Sequence, residues 1–181
     1  MKHLIRVYFL AGALLLLSIT VAVGLATVSN TDKYSYAANA GWINWQGDVT
    51  NGAVFTETYA FGYIYSANIG WINLGNGKPR NGVRYGNDSS GDFGINVEYK
   101  SPLDAFVLTG FAYSANAGWI NFDVQKEASE ENQPRIEKST RTIKGYAWGA
   151  NIGWISLNSP GIAEVRTTVR GKANASTWML Y

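Results

Sequence analysis

Four tryptophans, each followed two positions later by a polar side chain, are the residues of this chain best suited to bind a ligand. They lie in four nearly identical segments: AANAGWINW at 37–45, SANIGWINL at 66–74, SANAGWINF at 114–122 and GANIGWISL at 149–157. Exposed aromatic faces stack on the C–H faces of pyranose rings, and amides hydrogen-bond sugar hydroxyls. The candidate carbohydrate-binding residues are therefore Trp42, Trp71, Trp119, Trp154, Asn44, Asn73 and Asn121, with Ser156 in the corresponding position of the fourth segment.

A structural role for the same tryptophans is the competing interpretation. In that case the indoles pack over small residues of a neighbouring strand and exclude water. Because aromatic side chains dominate the cores of β-proteins, we expect this burial. The solvent accessibility of the four indoles separates the two interpretations.

The residues needed for catalysis are sparse. His3 is the only His, and it lies in the N-terminal segment that has the pattern of an export signal, so a catalytic histidine is excluded. The chain has no Cys, which excludes thiol chemistry. Paired carboxylates hydrolyse glycosides in many enzymes, but the spacing of Asp88, Asp92, Asp104 and Asp123 does not single out a pair. We therefore predict a protein that is not an enzyme and has no cofactor.

A metal site has only one weak candidate, the segment NDSSGD at 87–92. Asn87, Asp88 and Asp92 are oxygen donors, but the alternating acids and the distal Glu of a calcium loop are missing. A polar turn explains the segment more simply, so we predict no metal and keep calcium as the weaker alternative.

The N-terminal residues have the pattern of an export signal. Lys2 and Arg6 precede an uncharged stretch, VYFLAGALLLLSITVAVGLA at 7–26, with small residues at Gly24 and Ala26. A retained membrane anchor over 1–26 is the alternative, since twenty residues can just span a bilayer. The positive flank stays in the cytoplasm, so we expect residues 27–181 to be secreted or at the cell surface.

The charge balance limits the classes of partner that the protein is expected to bind. Without Lys2 and Arg6, the basic and acidic residues are equal in number. No basic stripe for nucleic acid is therefore expected, and docking on anionic lipid is disfavoured. An uncleaved N-terminal segment would be the only membrane contact.

The four segments predict β-hairpins. Aromatic residues lie eight and six positions before each Trp, and the sequence Ala-Asn-Ala/Ile-Gly forms the turn. We expect a four-residue loop that places Ser66 opposite Trp71 and Tyr65 opposite Ile72. A three-residue loop is the alternative, and it would shift the register by one residue and put Trp beside the aromatics.

Four hairpins must pack together, because a single hairpin is marginally stable in water. Unequal spacings between the four turn glycines disfavour a solenoid. We predict one all-β domain over 27–181 with units near 33–45, 62–74, 110–122 and 145–157, packed as a sandwich or roll. A small four-bladed propeller is the alternative. The charged residues 126–141 are predicted to be a solvated insertion.

The pattern Gly-aromatic-Ala-aromatic-Ser-x-Asn-Ile-Gly-Trp-Ile-Asn/Ser-Phe/Leu resembles a tandem repeat of predicted secreted or cell-surface proteins of bacteria, a poorly characterised family. GFAYSANAGWINF at 110–122 and GYAWGANIGWISL at 145–157 match it best, whereas Lys33 replaces the leading Gly in the first unit. The resemblance implies an extracytoplasmic β-repeat protein and no catalytic residues.

These features predict an exported, non-enzymatic structural or adhesive protein of the cell surface. Its expected partners are other copies of itself, other surface components or polysaccharide. The open ends of a hairpin array would expose strand edges, and STWMLY at 176–181 would pair with another copy by strand addition. Carbohydrate binding through the Trp/Asn faces is the alternative function.

Overall fold

The structure is a computed structural model that describes residues 25–124, 132–159 and 161–170. It contains fifteen β-strands and one 3₁₀ turn, Ser101–Leu103, and no α-helix occurs in these ranges. The predicted all-β class is therefore confirmed. Of the predicted export segment only Leu25 and Ala26 are described, and both belong to the first strand, where Ala26 is buried. The segment STWMLY lies outside the described residues.

Four rising paths cross the molecule from one end to the other. Each begins in a set of strands that we call the lower ring and ends in a set that we call the upper ring. The paths are β1 (Leu25–Ala37), β4 (Tyr59–Phe61) with β5 (Tyr63–Ser66), β8 (Ala105–Ser114), and β11 (Thr142–Lys144) with β12 (Tyr146–Gly149).

The upper ring consists of the tops of these paths and four short strands that follow them after a turn. The short strands are β2 (Gly41–Asn44), β6 (Gly70–Asn73), β9 (Gly118–Asn121) and β13 (Gly153–Ser156). All neighbours pair antiparallel in chain order. The last strand then pairs with the first, with Ala37 opposite Ile155, so the ring of eight strands is closed.

The lower ring consists of the bottoms of the rising paths and four further strands. These are β3 (Val54–Phe55), β7 (Ile95–Lys100), β10 (Arg135–Glu137) and β15 (Ala163–Arg170), and the short β14 (Asn158–Ser159) pairs with the start of β15. Neighbours again pair antiparallel in chain order, and β15 returns to β1. This ring is closed as well.

The hairpins are therefore packed as a closed roll, one of the predicted forms. A four-bladed propeller does not describe it, because adjacent units are joined by strand pairing around each ring. The expectation of open hairpin edges is wrong for the part of the chain that the structure describes. The predicted insertion at 126–141 also needs correction, because β10 lies within it and Ile136 is completely buried.

The preferred hairpin register is wrong, and the three-residue alternative is correct. Tyr65 lies opposite Trp71, and Ser66 lies opposite Gly70, whose φ of 74° closes the loop. The other three hairpins have the same register. Since side chains alternate across a strand, the one-residue shift places each repeated Trp on the same side as the tyrosines.

The interior of the roll is filled by apolar side chains. One buried Ile from each unit occupies the upper ring: Ile43, Ile72, Ile120 and Ile155. A larger buried side chain follows at the junction between the rings: Trp45, Leu74, Phe122 and Leu157. The N–H of each junction residue donates to a carbonyl on its own rising path, at Lys33, Gly62, Gly110 and Gly145 respectively. The core is thus a set of four-membered layers, one residue from each repeat.

The turn asparagines link the four hairpin tips into a cycle. Each Asn side-chain amide donates to a backbone carbonyl in the turn of the preceding unit, and the first unit donates to the fourth. The bonds run from Asn68 to Ala40 (3.2 Å), Asn116 to Ile69 (3.2 Å), Asn151 to Ala117 (3.1 Å) and Asn39 to Ile152 (3.3 Å). The invariance of this Asn among the repeats therefore has a structural cause.

Candidate aromatic binding surface

Each unit presents a cluster on the outer wall of the upper ring that we call an aromatic triad. A triad consists of the repeated Trp and the aromatic residues eight and six positions before it. The triads are Tyr34, Tyr36 and Trp42; Tyr63, Tyr65 and Trp71; Phe111, Tyr113 and Trp119; and Tyr146, Trp148 and Trp154. They are positioned by the pairing of the first and second strands of each hairpin.

The expectation that the repeated tryptophans are buried is wrong. Their exposed fractions are 48% for Trp42, 47% for Trp71, 44% for Trp119 and 45% for Trp154. The core is filled instead by the neighbouring Ile on the opposite side of the strand. Four large aromatic side chains therefore face solvent in equivalent positions around the ring.

The geometry within the triads is the same in all four units. The ring eight positions before Trp lies 6.1–6.4 Å from it at an interplanar angle of 78–82°. The ring six positions before lies 4.8–5.4 Å away at 59–68°. Edge-to-face contacts of this kind hold each indole in a defined orientation while part of its surface stays accessible.

The predicted amide partners of the tryptophans have a local structural role. The Oδ1 atoms of Asn44, Asn73 and Asn121 accept N–H bonds from the backbone two residues later, at 2.9, 2.9 and 2.7 Å. Ser156 Oγ donates to the carbonyl of Asn158 at 3.0 Å. These side chains shape the exit from each hairpin. Their recurrence is therefore explained without a ligand.

Loops that the sequence did not connect with the triads contribute polar groups beside them. The loop that leaves one unit lies against the triad of the next unit. Beside the third triad, Phe93, Phe111 and Trp119 form the apolar walls of a groove with a cavity of about 350 Å³. Its polar lining consists of Asn87, Asp88, Ser89 and Ser90.

The second and first triads have corresponding grooves. Beside the second triad, Asp48 and Asn51 face Tyr63 and Trp71 across a cavity of about 290 Å³. Beside the first triad, a cavity of about 260 Å³ is lined by Tyr34 together with Thr31, Asp32, Gly161, Ile162, Ala163 and Glu164. The loop before the fourth triad contains residues outside the described ranges. Each described groove combines an aromatic wall with at least one carboxylate.

The loop of the third groove is held in shape by Asp92. Its Oδ1 accepts the N–H of Arg80 at 3.1 Å, and its Oδ2 accepts the N–H of Gly86 at 3.0 Å. These two backbone bonds hold the pKa of the Asp92 carboxyl below its ordinary value. Asn87 Oδ1 accepts the N–H of Gly94 at 3.0 Å.

The calcium site considered at 87–92 stays a prediction. The side-chain oxygens of Asn87 and Asp92 already accept backbone hydrogen bonds within the loop. Asp88 is the third candidate ligand, and its carboxylate has no hydrogen-bond partner among the described residues. No three His, Cys, Asp or Glu side chains approach one another as a metal-binding group in those residues. Asp104, another aspartate considered for catalysis, lies outside the grooves. Its Oδ1 accepts a hydrogen bond from the Tyr99 hydroxyl at 2.8 Å.

Comparisons with protein-family models, with curated proteins and with solved structures found no match for this chain. The resemblance to bacterial surface repeats therefore stays a prediction. Within the described ranges, no helix has the length and apolarity needed to cross a membrane.

Proposed function

We propose that this protein is an exported, non-enzymatic adhesive protein that binds polysaccharide through its aromatic triads. The observation that carries the proposal is the exposure of four tryptophans, each 44–48% accessible and each fixed by two neighbouring rings. An oriented indole with a free face is suited to stack on a pyranose ring. The grooves beside the triads add hydroxyl-binding oxygens from Asn51, Asp88, Ser89 and Ser90.

The fourfold arrangement supports adhesion more than high affinity at one site. The triads belong to successive units around a closed ring, so they face different directions. Neighbouring sites that engage the same polymer, or different polymers, raise the overall avidity without any new contact. Weak single sites on this scaffold would hold a cell surface or a matrix together.

The direction of the first strand is consistent with display at a surface. β1 starts in the lower ring at Leu25, within the last two residues of the predicted export segment, and reaches the upper ring at Tyr34. Nine residues of strand span roughly 30 Å. If the N-terminal segment is retained as an anchor, the triads lie at the end of the molecule away from it.

Self-assembly by strand addition has less support than polysaccharide binding. Both rings are closed by pairing with β1, so the strands of the rings do not present the open edges of a hairpin array. The two-residue β14, outside the rings, pairs with β15 alone. The adhesive role is therefore assigned to side chains on the outer wall.

A retention assay on insoluble polysaccharides tests the proposal. The full-length protein is incubated with cellulose, chitin, xylan and mannan, and bound protein is measured beside a Trp71→Ala/Trp119→Ala double variant. We expect retention on at least one polymer and a loss of tenfold or more in the variant, because two stacking platforms and their avidity are removed. Val83→Ala is the control, since Val83 is 50% exposed and lines none of the three grooves.

Two results would contradict the proposal. One is the absence of retention on every polymer. The other is equal retention by the double variant, with circular dichroism and melting temperature showing that it is folded. Iodide quenching gives an independent check: the repeated tryptophans should be quenched strongly and Trp45, 1% exposed, should not.

A further inference from the structure

We propose that the groove of the third unit selects amino sugars whose amine is free, because it places an unpaired carboxylate beside an aromatic corner. This inference rests on the proposed polysaccharide binding and adds the chemical class of the sugar.

Of the three described grooves, the third has the most complete aromatic lining. The ring centroid of Phe93 lies 5.0 Å from that of Trp119 at an interplanar angle of 90°. The ring centroid of Phe111 lies 6.2 Å from that of Trp119 at an interplanar angle of 78°. Phe93 comes from the loop and has no counterpart in the second groove, where Tyr63 and Trp71 are the aromatic walls. Perpendicular rings form a corner in which a cation can approach a π-face, and such faces attract ammonium groups.

Asp88 supplies the negative charge of this groove. Its side chain is exposed, lines the cavity, and makes no hydrogen bond or ion pair with any described residue. The basic residues of this loop are Lys78, Arg80 and Arg84, and none of them lines the groove. The Arg80 guanidinium donates to Ser89 Oγ at 3.3 Å, and Arg84 pairs with Glu98 at 3.2 Å. The Asp88 carboxylate is thus free to pair with a cationic group of a ligand.

The other two described grooves use their carboxylates internally. In the second groove, Asp48 accepts three hydrogen bonds from Thr50 and Asn51 at 2.7–3.1 Å. In the first groove, Arg166 lies 3.5 Å from Asp32 and 2.6 Å from Glu164. The third groove is therefore the one with a carboxylate still available to a ligand.

The first unit contains a cation–π contact within the chain. Lys33 replaces the Gly of the other units, and its ammonium lies 5.8 Å from the centroid of the Tyr34 ring. An ammonium group thus already occupies an aromatic face of the first triad. In the third unit Gly110 stands where the first unit has Lys33, so this position supplies no cation to the neighbouring aromatic face. A ligand amine takes the place of the Lys33 ammonium there.

The ligand that fits these features is a glycan containing glucosamine-type rings without N-acetyl groups. The C–H face of the ring stacks on Trp119, the ammonium approaches Asp88, and the hydroxyls reach Ser89 and Ser90. The cavity of about 350 Å³ lies within the range of small-molecule sites, about 300–1,000 Å³. N-Acetylation removes the charge and adds bulk, so it should weaken binding at this groove.

Isothermal titration calorimetry with two oligosaccharides tests the inference on the full-length protein. The probes are a β-1,4-linked glucosamine hexamer and its fully N-acetylated counterpart, at a pH of 5.5 where the amines are charged. We expect the free-amine hexamer to bind roughly threefold to tenfold more tightly. Asp88→Asn should remove most of that preference, because it lowers the affinity for the free-amine hexamer more than the affinity for the acetylated hexamer.

Glu57→Gln is the matched control, because Glu57 is an exposed carboxylate between β3 and β4 and lines none of the described grooves. It should keep the preference of the wild type. Equal binding of the two hexamers, or an Asp88→Asn variant that keeps the preference, would overturn the inference and leave polysaccharide binding standing. Failure to bind either hexamer overturns the inference, and the retention assay then decides the proposed function separately.

Discussion

Trp42 and Trp45 lie three residues apart and show how differently one residue type is used in this protein. Trp42 is 48% exposed on the outer wall, whereas Trp45 is 1% exposed and donates its indole N–H to Ser35 Oγ at 2.8 Å. Alternation along the strand places one outside and the other inside. Ser35 is itself fully buried, so the pair satisfies two polar groups within the core.

Tyr85 is the buried side chain that anchors the loop of the third groove. It is 3% exposed, and its hydroxyl accepts the N–H of Gly77 at 2.8 Å. Gly75 and Gly94 leave space for the ring, since a Cβ at either position would lie 2.3–2.6 Å from a Tyr85 atom. The segment NGVRYG, which has the composition of a strand, is instead a loop built around this tyrosine.

The first prediction at the residue scale concerns alkaline pH. Burial raises the pKa of Tyr85 to about 12, against an ordinary value of 10.0. The unfolded chain therefore releases this proton first, and the stabilisation is complete below pH 10 and is lost as the pH rises towards 12. The loss amounts to at most about 3 kcal/mol of unfolding free energy. Urea unfolding between pH 8 and pH 11.5 should show it.

Tyr85→Phe should lack this alkaline component, although it is less stable at pH 8 because the Gly77 N–H loses its partner. Tyr36→Phe is the control, since Tyr36 is 40% exposed and should leave the alkaline component in place. If the Tyr85→Phe variant and the wild type lose the same free energy over this range, the assignment to Tyr85 is wrong.

At the scale of the elements, the rising paths need a bend where they pass from the lower to the upper ring. Gly62, Gly110 and Gly145 provide it with φ values of 98°, 94° and 88°. β1 has Lys33 at this position and instead carries an irregularity between Val28 and Lys33 in its pairing with β15. A bulge changes the direction of a strand without a glycine, which explains how the first unit tolerates its departure from the repeat.

The prediction for this element compares Gly110→Ala with Gly118→Ala. Both glycines have positive φ, 94° and 74°, so both variants lose about 1–2 kcal/mol from backbone strain. A Cβ at Gly110 would also lie 2.3 Å from the carbonyl oxygen of Gly94, whereas at Gly118 the nearest atom is 3.5 Å away. Gly110→Ala should therefore be the less stable variant by at least about 2 kcal/mol in urea unfolding. Equal losses would show that the bend can relax.

At the scale of the whole molecule, closure makes every unit depend on two neighbours. β1 and β8 belong to both rings, and β1 pairs with strands close to the other end of the described chain. The Asn cycle at the hairpin tips repeats this dependence, because Asn39 of the first unit donates to Ile152 of the fourth. The strands of each unit therefore pair with strands of both neighbouring units.

We therefore expect equilibrium unfolding of the full-length protein to be a single transition. Tryptophan fluorescence and far-ultraviolet circular dichroism should give the same midpoint in urea. Asn39→Ala should shift both midpoints together, by an amount corresponding to about 1 kcal/mol, because it weakens the closing contact. Separate transitions would indicate units that unfold independently, as the repeats of open solenoids can.

Much of the hairpin architecture could be predicted from the repeated segments. The four turns, their glycines and the all-β class are all present in the structure, because period-two alternation and turn residues are local signals. The register could not be decided in the same way, since three- and four-residue loops both fit the sequence around Ala-Asn-Ala/Ile-Gly. The one-residue difference in loop length determined whether Trp71 lies opposite Tyr65 or opposite Ser66, and hence on which face of the hairpin the Trp lies.

The candidate site was predicted in part. The repeated tryptophans were identified from the sequence, but Asp88, Phe93 and Asp48 were not connected with them. These residues come from loops of the preceding unit, and they reach the triads only because consecutive units are neighbours in the rings. Asp88 and Trp119 line the same groove, and their separation along the chain conceals this proximity.

The sequence alone determined that this protein repeats one hairpin unit four times, and that each unit carries a Gly, a Trp and a turn Asn in fixed positions. Only the tertiary structure decided that the ends meet, that Ile rather than Trp fills the upper ring, and that loops and triads form grooves. The physical reason is that alternation defines two faces of a strand without stating which one is inside. That choice is made by closure, when Ala37 pairs with Ile155 more than a hundred residues away and one face of every hairpin becomes the interior.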